Sequence, residues 1–245
     1  MTRSVPGMDL TDALRTTGAV REFTAQPVTD DVLARVLDTA RFAPSGGNRQ
    51  GWRVVVVQDG ATRRRLRDLY LHGWYEYLAL RAAGLTPWSP VSDREAEARA
   101  LAAAPRIAES ATAGGRAGFA ERLDEVPVLL ALFADLGALA AVDRDLGRYT
   151  LAGGASIYPF AWNLLLAARA EGLGGVITTM AIRREAEVKA LLGASDDLAL
   201  AAVVALGHPS RRPRRLTRAA VEQWTTVDRV DGPSLPARPK PLTNP

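Results

Sequence analysis

Residues 156–170 constrain the fold more than any other stretch. Phe160, Ala161, Trp162, Leu164, Leu165, Leu166, Ala167 and Ala168 leave almost no polar side on a helix of that length. A surface helix keeps a polar face toward water, so a helix that is apolar all round belongs inside the protein. It stops at Gly172 and Gly174-Gly175, where glycine can take the positive φ of a helix C-cap. At 245 residues the chain is long enough to enclose such a helix in one large domain with a pocket.

The surrounding pattern supplies the enclosure. A short helix starts near Asp9 or Thr11 and ends in Thr16-Thr17-Gly18-Ala19. Val32, Leu33, Val36, Leu37 and Ala40 fall at helical spacing and predict a helix over 30–42, closed by Pro44. Strands are predicted over 52–58, 126–134, 175–179 and 198–207, and helices over 63–78 and 183–192. Residues 84–123 are interrupted by Pro87, Pro90, Pro105 and Gly114-Gly115, with a helical piece over 93–104, and read as a lid or binding insert. Residues 1–8 read as a flexible leader, 9–231 as the domain, and 232–245 as a proline-rich extended tail. Helices and a few strands around one buried helix make the class α+β.

The chain has no cysteine, which removes disulfides, thiolate metal sites, cysteine nucleophiles and cysteine-ligated iron–sulfur clusters. His72 and His208 stand far apart without carboxylates at metal spacing, so no metal site is expected. No Walker A lysine is present, Gly172-Leu173-Gly174-Gly175 opens a strand rather than a helix, and Gly154-Ala155-Ser156-Ile157-Tyr158 lacks the last glycine of a nucleophile elbow. The chemistry must come mostly from a cofactor. The first ten residues lack the apolar run of a signal peptide, and the apolar stretch 126–142 is broken by Asp135 and Gly137, so a cytoplasmic protein without a membrane span is expected. The net charge of +4 comes from 31 basic against 27 acidic residues, and a phosphate-bearing ligand accounts for a local basic cluster as well as nucleic acid does.

Four blocks in order resemble the nitroreductase family: Ala19-Val20-Arg21-Glu22-Phe23; Ala43-Pro44-Ser45-Gly46-Gly47-Asn48-Arg49-Gln50-Gly51-Trp52; Asn163-Leu164-Leu165-Leu166-Ala167-Ala168 leading to Gly172-Leu173-Gly174-Gly175; and Leu206-Gly207-His208-Pro209 followed by arginines. The resemblance implies a nitroreductase-like fold, a central mixed or antiparallel sheet around the buried helix with flanking helices. It also implies an intertwined homodimer that holds FMN at two interface sites and takes NADPH or NADH as electron donor. Arg21 would lend electrostatic support to the anionic N1–O2 edge of the reduced flavin. In the turn from Pro44 to Gln50, Gly46 lets backbone come close to the cofactor, and Ser45, Asn48 and Gln50 supply hydrogen bonds. Ser156, Thr17 and the backbone of Gly175, Val176, Ile177 and Thr178 complete the flavin contacts, the last four near N5. Of the cluster Arg211, Arg212, Arg214, Arg215 and Arg218, the phosphate contacts are assigned to Arg215 and Arg218.

One departure stands out. Where the family carries arginines and a serine for the phosphate, this chain has Thr17-Gly18-Ala19. Either Thr17 and the Gly18 backbone substitute, with the C-terminal arginines taking more of the charge, or FMN is held more weakly. Trp74, Tyr75, Tyr77, Trp88 and Phe119 are candidates to stack on a flat acceptor or on nicotinamide. The implied activity is two-step hydride transfer from NAD(P)H to a nitroaromatic, quinone or similar acceptor, with no obligatory side-chain acid or base. The alternatives are a specialised relative performing reductive dehalogenation or flavin modification, a non-catalytic flavin carrier, and a nucleic-acid binder using the arginine cluster.

Overall fold

A computed structural model describes residues 8–113, 118–212 and 216–235, with the side chains of 112 and 113 left out. Four of the helices begin where a side-chain oxygen accepts from their free N–H groups. Asp9 accepts from Thr11 and Asp12 to start α1 (Leu10–Thr16), and Thr29 accepts from Val32 to start α2 (Asp30–Ala40). Asp59 accepts from Thr62 at the head of α3 (Gly60–Ala82), and Asp93 from Glu95 and Ala96 at the head of α4 (Arg94–Leu101).

Four strands form one antiparallel sheet in the order β1-β2-β4-β3, with β1 Trp52–Val56, β2 Val128–Asp135, β3 Gly174–Thr178 and β4 Leu198–Gly207. Both faces are covered, which is why β2 and β4 read as continuous apolar runs. On one face Leu130, Leu132, Val204 and Leu206 pack with α2 and α6 (Tyr158–Ala170). On the other, Leu129, Ala131, Phe133, Val203 and Ala205 pack with α3 and α7 (Glu185–Leu192). Phe160, Ala161, Leu164, Leu165, Ala167 and Ala168 of α6 are buried between the sheet and α2, as the apolar pattern requires, and Pro159 sits in its first turn. The α+β reading holds, with an antiparallel sheet.

The insert differs from expectation. The helical piece expected over 93–104 is present as α4, but a second helix follows it, α5 (Ala104–Ala113), and both pack along α3. Pro105 interrupts nothing, because in a first turn its missing N–H has no intrahelical partner to lose. No described helix is long and apolar enough to cross a membrane.

A second unit begins at residue 214. Its described part, 216–235, carries a single 3-10 turn at Val221–Gln223 and an antiparallel bridge between Thr226 and Ser234. Gly114-Gly115, Arg214, Arg215 and the tail from 236 lie outside the described residues.

Candidate functional site

Between α1 and α2 the chain runs as a strap over one end of the sheet. The Val20 N–H donates to the Gly175 carbonyl (2.9 Å), the Thr24 N–H to the His208 carbonyl (2.8 Å), and the Ser210 N–H back to the Glu22 carbonyl (3.1 Å). The fit is close: a Cβ on Gly174 would lie 2.7 Å from Val20 Cγ2, and one on Gly207 would lie 2.9 Å from a ring carbon of Phe23. Arg21, exposed between these anchors, lines an open cleft of about 420 Å³ with Phe23, Phe119, Arg122, Glu125 and Pro127. Among the described residues Arg21 belongs to no ion pair.

The strap leaves most of the β3 edge free. β3 is the last strand of the sheet, and beyond it, among the described residues, only the strap pairs, at Gly175. Backbone groups alternate sides along a strand, so Ile177 presents its N–H outward with Gly175, while Val176 and Thr178 turn theirs to β4. The Thr178 hydroxyl bonds the Tyr70 hydroxyl (3.2 Å). Burial pushes the Tyr70 phenol above its ordinary 10.0, opposed by the Thr178 bond and the positive charge of Arg21.

The turn lies at the other end of β2. A Cβ on Gly46 would meet Ala140, the Gly46 N–H donates to the buried Ser156 Oγ (3.0 Å), and the Gly51 carbonyl accepts from the Asp135 N–H (2.7 Å). The Arg21 cleft reaches Val126 and Pro127, before the first residue of β2. An eight-residue strand separates the two by about 25 Å. The turn is tightly wound, with Asn48 and Gln50 at φ of 53° and 52° after Gly47 at 61°. Non-glycine residues seldom adopt that region, so the shape is imposed rather than relaxed. Ser45 Oγ holds it from within by accepting the Gln50 N–H (3.0 Å). Pro44 precedes it, exposed.

The family model for the Nitroreductase family matches residues 14–208, which takes in both the strap and the turn. This chain belongs to the nitroreductase family. It is 30% identical over 227 residues to an NADH dehydrogenase of Thermus thermophilus, covering 91% of this chain and 100% of that one. It is 32% identical over 194 residues to a 5,6-dimethylbenzimidazole synthase of Rhodospirillum rubrum, covering 78% and 77%. Among solved structures, a BluB-like flavoprotein from Clostridium difficile superposes with a TM-score of 0.63 at 22% identity, over 90% of this chain and 99% of that one. The relatives make this a family of oxidoreductases.

In this family member the candidate aromatics divide three ways. Trp74 stacks on Tyr77 at 5.5 Å, Tyr77 meets Trp88 at 6.4 Å, and Arg183 lies 5.3 Å over Trp88. Tyr75 bonds Glu121 (3.3 Å) and lines a separate cleft of about 430 Å³ with His72 and Pro105. Phe119 alone lines the Arg21 cleft.

The arginine cluster divides as well. Arg211 is exposed, and Arg212 donates to the Gly172 carbonyl. Arg218, in the second unit, donates to the Thr217 carbonyl (2.8 Å), and Arg215 lies outside the described residues. Thr17, with Thr16 and Gly18, instead shares a narrow cleft with Arg169 and Arg212. Arg169 has no place in the sequence reading above. Its one signal was a charged side chain in an otherwise apolar helix, one turn from the terminating glycine.

Proposed function

We propose that the protein is a cytoplasmic FMN-dependent oxidoreductase that takes electrons from NADPH or NADH and delivers them to a nitroaromatic, quinone or similar flat acceptor. The observation that carries this reading is Arg21, a cation with no carboxylate partner among the described residues, which the strap brings to the wall of an open cleft. Bound FMN would supply the hydride-accepting chemistry, and the chain would bind, orient and exclude water. The Arg21 guanidinium suits a site where negative charge develops, and the backbone anchors on either side of it fix where the side chain leaves the strap. The free Ile177 N–H offers a backbone donor on the same strand that anchors the strap. The orphaned buried atoms Thr17 Oγ1 and Arg169 Nε fit the phosphate end of the same cofactor.

The working form in this proposal is a homodimer. A flavin ring is far shorter than the roughly 25 Å between the Arg21 cleft and the turn, so one chain cannot apply both to one ring. A second copy supplies the turn. Its end of the molecule carries the apolar surface that such an interface needs, with Phe42 72%, Val142 85% and Leu151 75% exposed.

Purified protein should be yellow, lose its colour with NADPH under anaerobic conditions, and regain it on adding menadione or nitrofurazone. Full FMN occupancy without reduction of either acceptor refutes the acceptor class, and failure to bind any flavin refutes the reading as a whole. The 5,6-dimethylbenzimidazole synthase relative supports a second reading, a flavin-modifying enzyme. Loss of total flavin during aerobic incubation with NADPH would favour it over simple electron transfer.

A further inference from the structure

The C-terminal end of α6 and the start of the strap enclose a narrow cleft lined by Thr16, Thr17, Gly18, Arg169, Gly174 and Arg212. Its volume of about 10 Å³ admits a single water-sized group. Several observations give that group a negative charge.

Two guanidinium groups share the cleft without a counter-ion. Neither Arg169 nor Arg212 forms an ion pair among the described residues. Glu171, the carboxylate nearest to Arg169 in sequence, is held two-pronged by Arg35 at 3.1 and 2.8 Å. Burial first, and then the charge of Arg169, hold the Arg212 guanidinium below its ordinary range. Like charges brought together out of water are unfavourable unless an anion joins them.

Hydrogen-bonding capacity is also left over. Arg169 Nη2 donates to Thr16 Oγ1 (3.2 Å), but Arg169 Nε and Thr17 Oγ1 are buried with no partner among the described residues. Such orphans are rare in folded proteins because each carries a desolvation cost with no return. Capping α6 does not explain Arg169. The last carbonyls of that helix already accept from the Glu171, Gly172 and Leu173 N–H groups, and Arg212 takes the Gly172 carbonyl.

We propose that this cleft takes one oxygen of the flavin mononucleotide phosphate, and that Arg169 on the central helix, with Arg212, supplies the guanidinium contacts that Thr17-Gly18-Ala19 lacks. The inference rests on the flavin reading above. Thr17, in the cleft, and Arg21 belong to the same strap, four residues apart in sequence. Thr17 Oγ1 donates to the phosphate, and the fork of Arg169 binds through Nε and its free Nη hydrogens.

Dissociation constants of FMN and of riboflavin, which lacks the phosphate, test this by flavin fluorescence quenching on wild type, Arg169→Gln, Arg169→Lys and Thr17→Val. Wild type should prefer FMN to riboflavin by at least about tenfold. Arg169→Gln should weaken FMN by about 10- to 100-fold, the range for a charge-assisted hydrogen bond, and leave riboflavin unchanged. Arg169→Lys should recover part of the loss, and Thr17→Val should weaken FMN several-fold while leaving riboflavin unchanged. Should Arg169→Gln not fold, as judged by its melting curve, the Thr17→Val comparison carries the test alone. An equal effect on both flavins, or none on FMN, overturns the proposal. Wild type that binds FMN and riboflavin alike overturns it while leaving the flavin reading standing, whereas wild type that binds neither overturns both.

Discussion

Gly73 sets two physical effects against each other in the middle of α3. Helix propensity alone predicts that Gly73→Ala stabilises the protein, because glycine in a helix interior costs roughly 0.5–1 kcal/mol relative to alanine. Packing predicts the reverse. A Cβ at this position would fall 2.2 Å from the Met180 carbonyl oxygen and 3.0 Å from both Met180 C and Arg183 Cγ. A carbon meets a carbonyl oxygen comfortably at about 3.3 Å or more, so helix and turn must separate by about 1 Å. The obstruction is backbone, in the 3-10 turn Met180–Arg184 that follows β3, and cannot rotate away. Overpacking costs about 1–3 kcal/mol, and a backbone obstruction puts this case at about 2–3, so setting the propensity gain of roughly 0.5–1 kcal/mol against it leaves a net loss of about 1–2 kcal/mol. For a chain of this size that lowers Tm by about 2–8 °C. Thermal denaturation followed by circular dichroism on the apo protein measures it. A Tm raised by a few degrees, as propensity alone requires, would refute the packing argument and with it the close approach of α3 to the end of β3.

Three further outcomes are expected. Arg21→Gln should slow flavin reduction by NADPH by about a hundredfold in stopped-flow measurements while FMN still binds; an unchanged rate removes Arg21 from the charge-stabilising role. Ser156→Ala removes the acceptor of the Gly46 N–H and should cost about 0.5–1.5 kcal/mol in urea denaturation; no change would mean that the turn holds its shape unaided. Asp143 is held below its ordinary 3.8 by the Leu151 N–H, and then by Arg148 and the Ala152 N–H, against the cost of burial. A folded value below the unfolded one means that its stabilisation is complete above about pH 4 and is lost as pH falls through the folded value. Hydrogen exchange at Leu151 and Ala152 should therefore stay protected at pH 5 and loosen only below about pH 4; loosening at pH 6 would contradict the sign.

The parts of this fold that announce themselves in sequence are those in which one interaction decides the outcome. The largely apolar helix at 158–170 and the runs of β2 and β4 are legible because extensive burial leaves few polar positions to suggest another pattern. Within the insert α4 is legible and α5 is not, because Pro105 reads as a helix breaker although it stands in the first turn of α5, where proline is tolerated. The strap was recognisable through its family pattern, but its pairing with both Gly175 and His208 joins parts of the chain far apart in sequence. Arg169 escaped for a related reason. Its meaning depends on an unpartnered Thr17 and an arginine at 212, and spacing along α6 carries no trace of either.

The distance between the Arg21 cleft and the Ser45–Gln50 turn has a genetic consequence if the proposed dimer forms. Each subunit then contributes different halves to two different sites, so lesions in the two halves belong to separate complementation groups. An Arg21 variant and a turn variant, each inactive as a homodimer, would yield on co-expression a mixed dimer with one site doubly damaged and the other wholly intact. Random pairing at equal levels gives about a quarter of the wild-type number of sites. Two lesions in the same half would restore nothing.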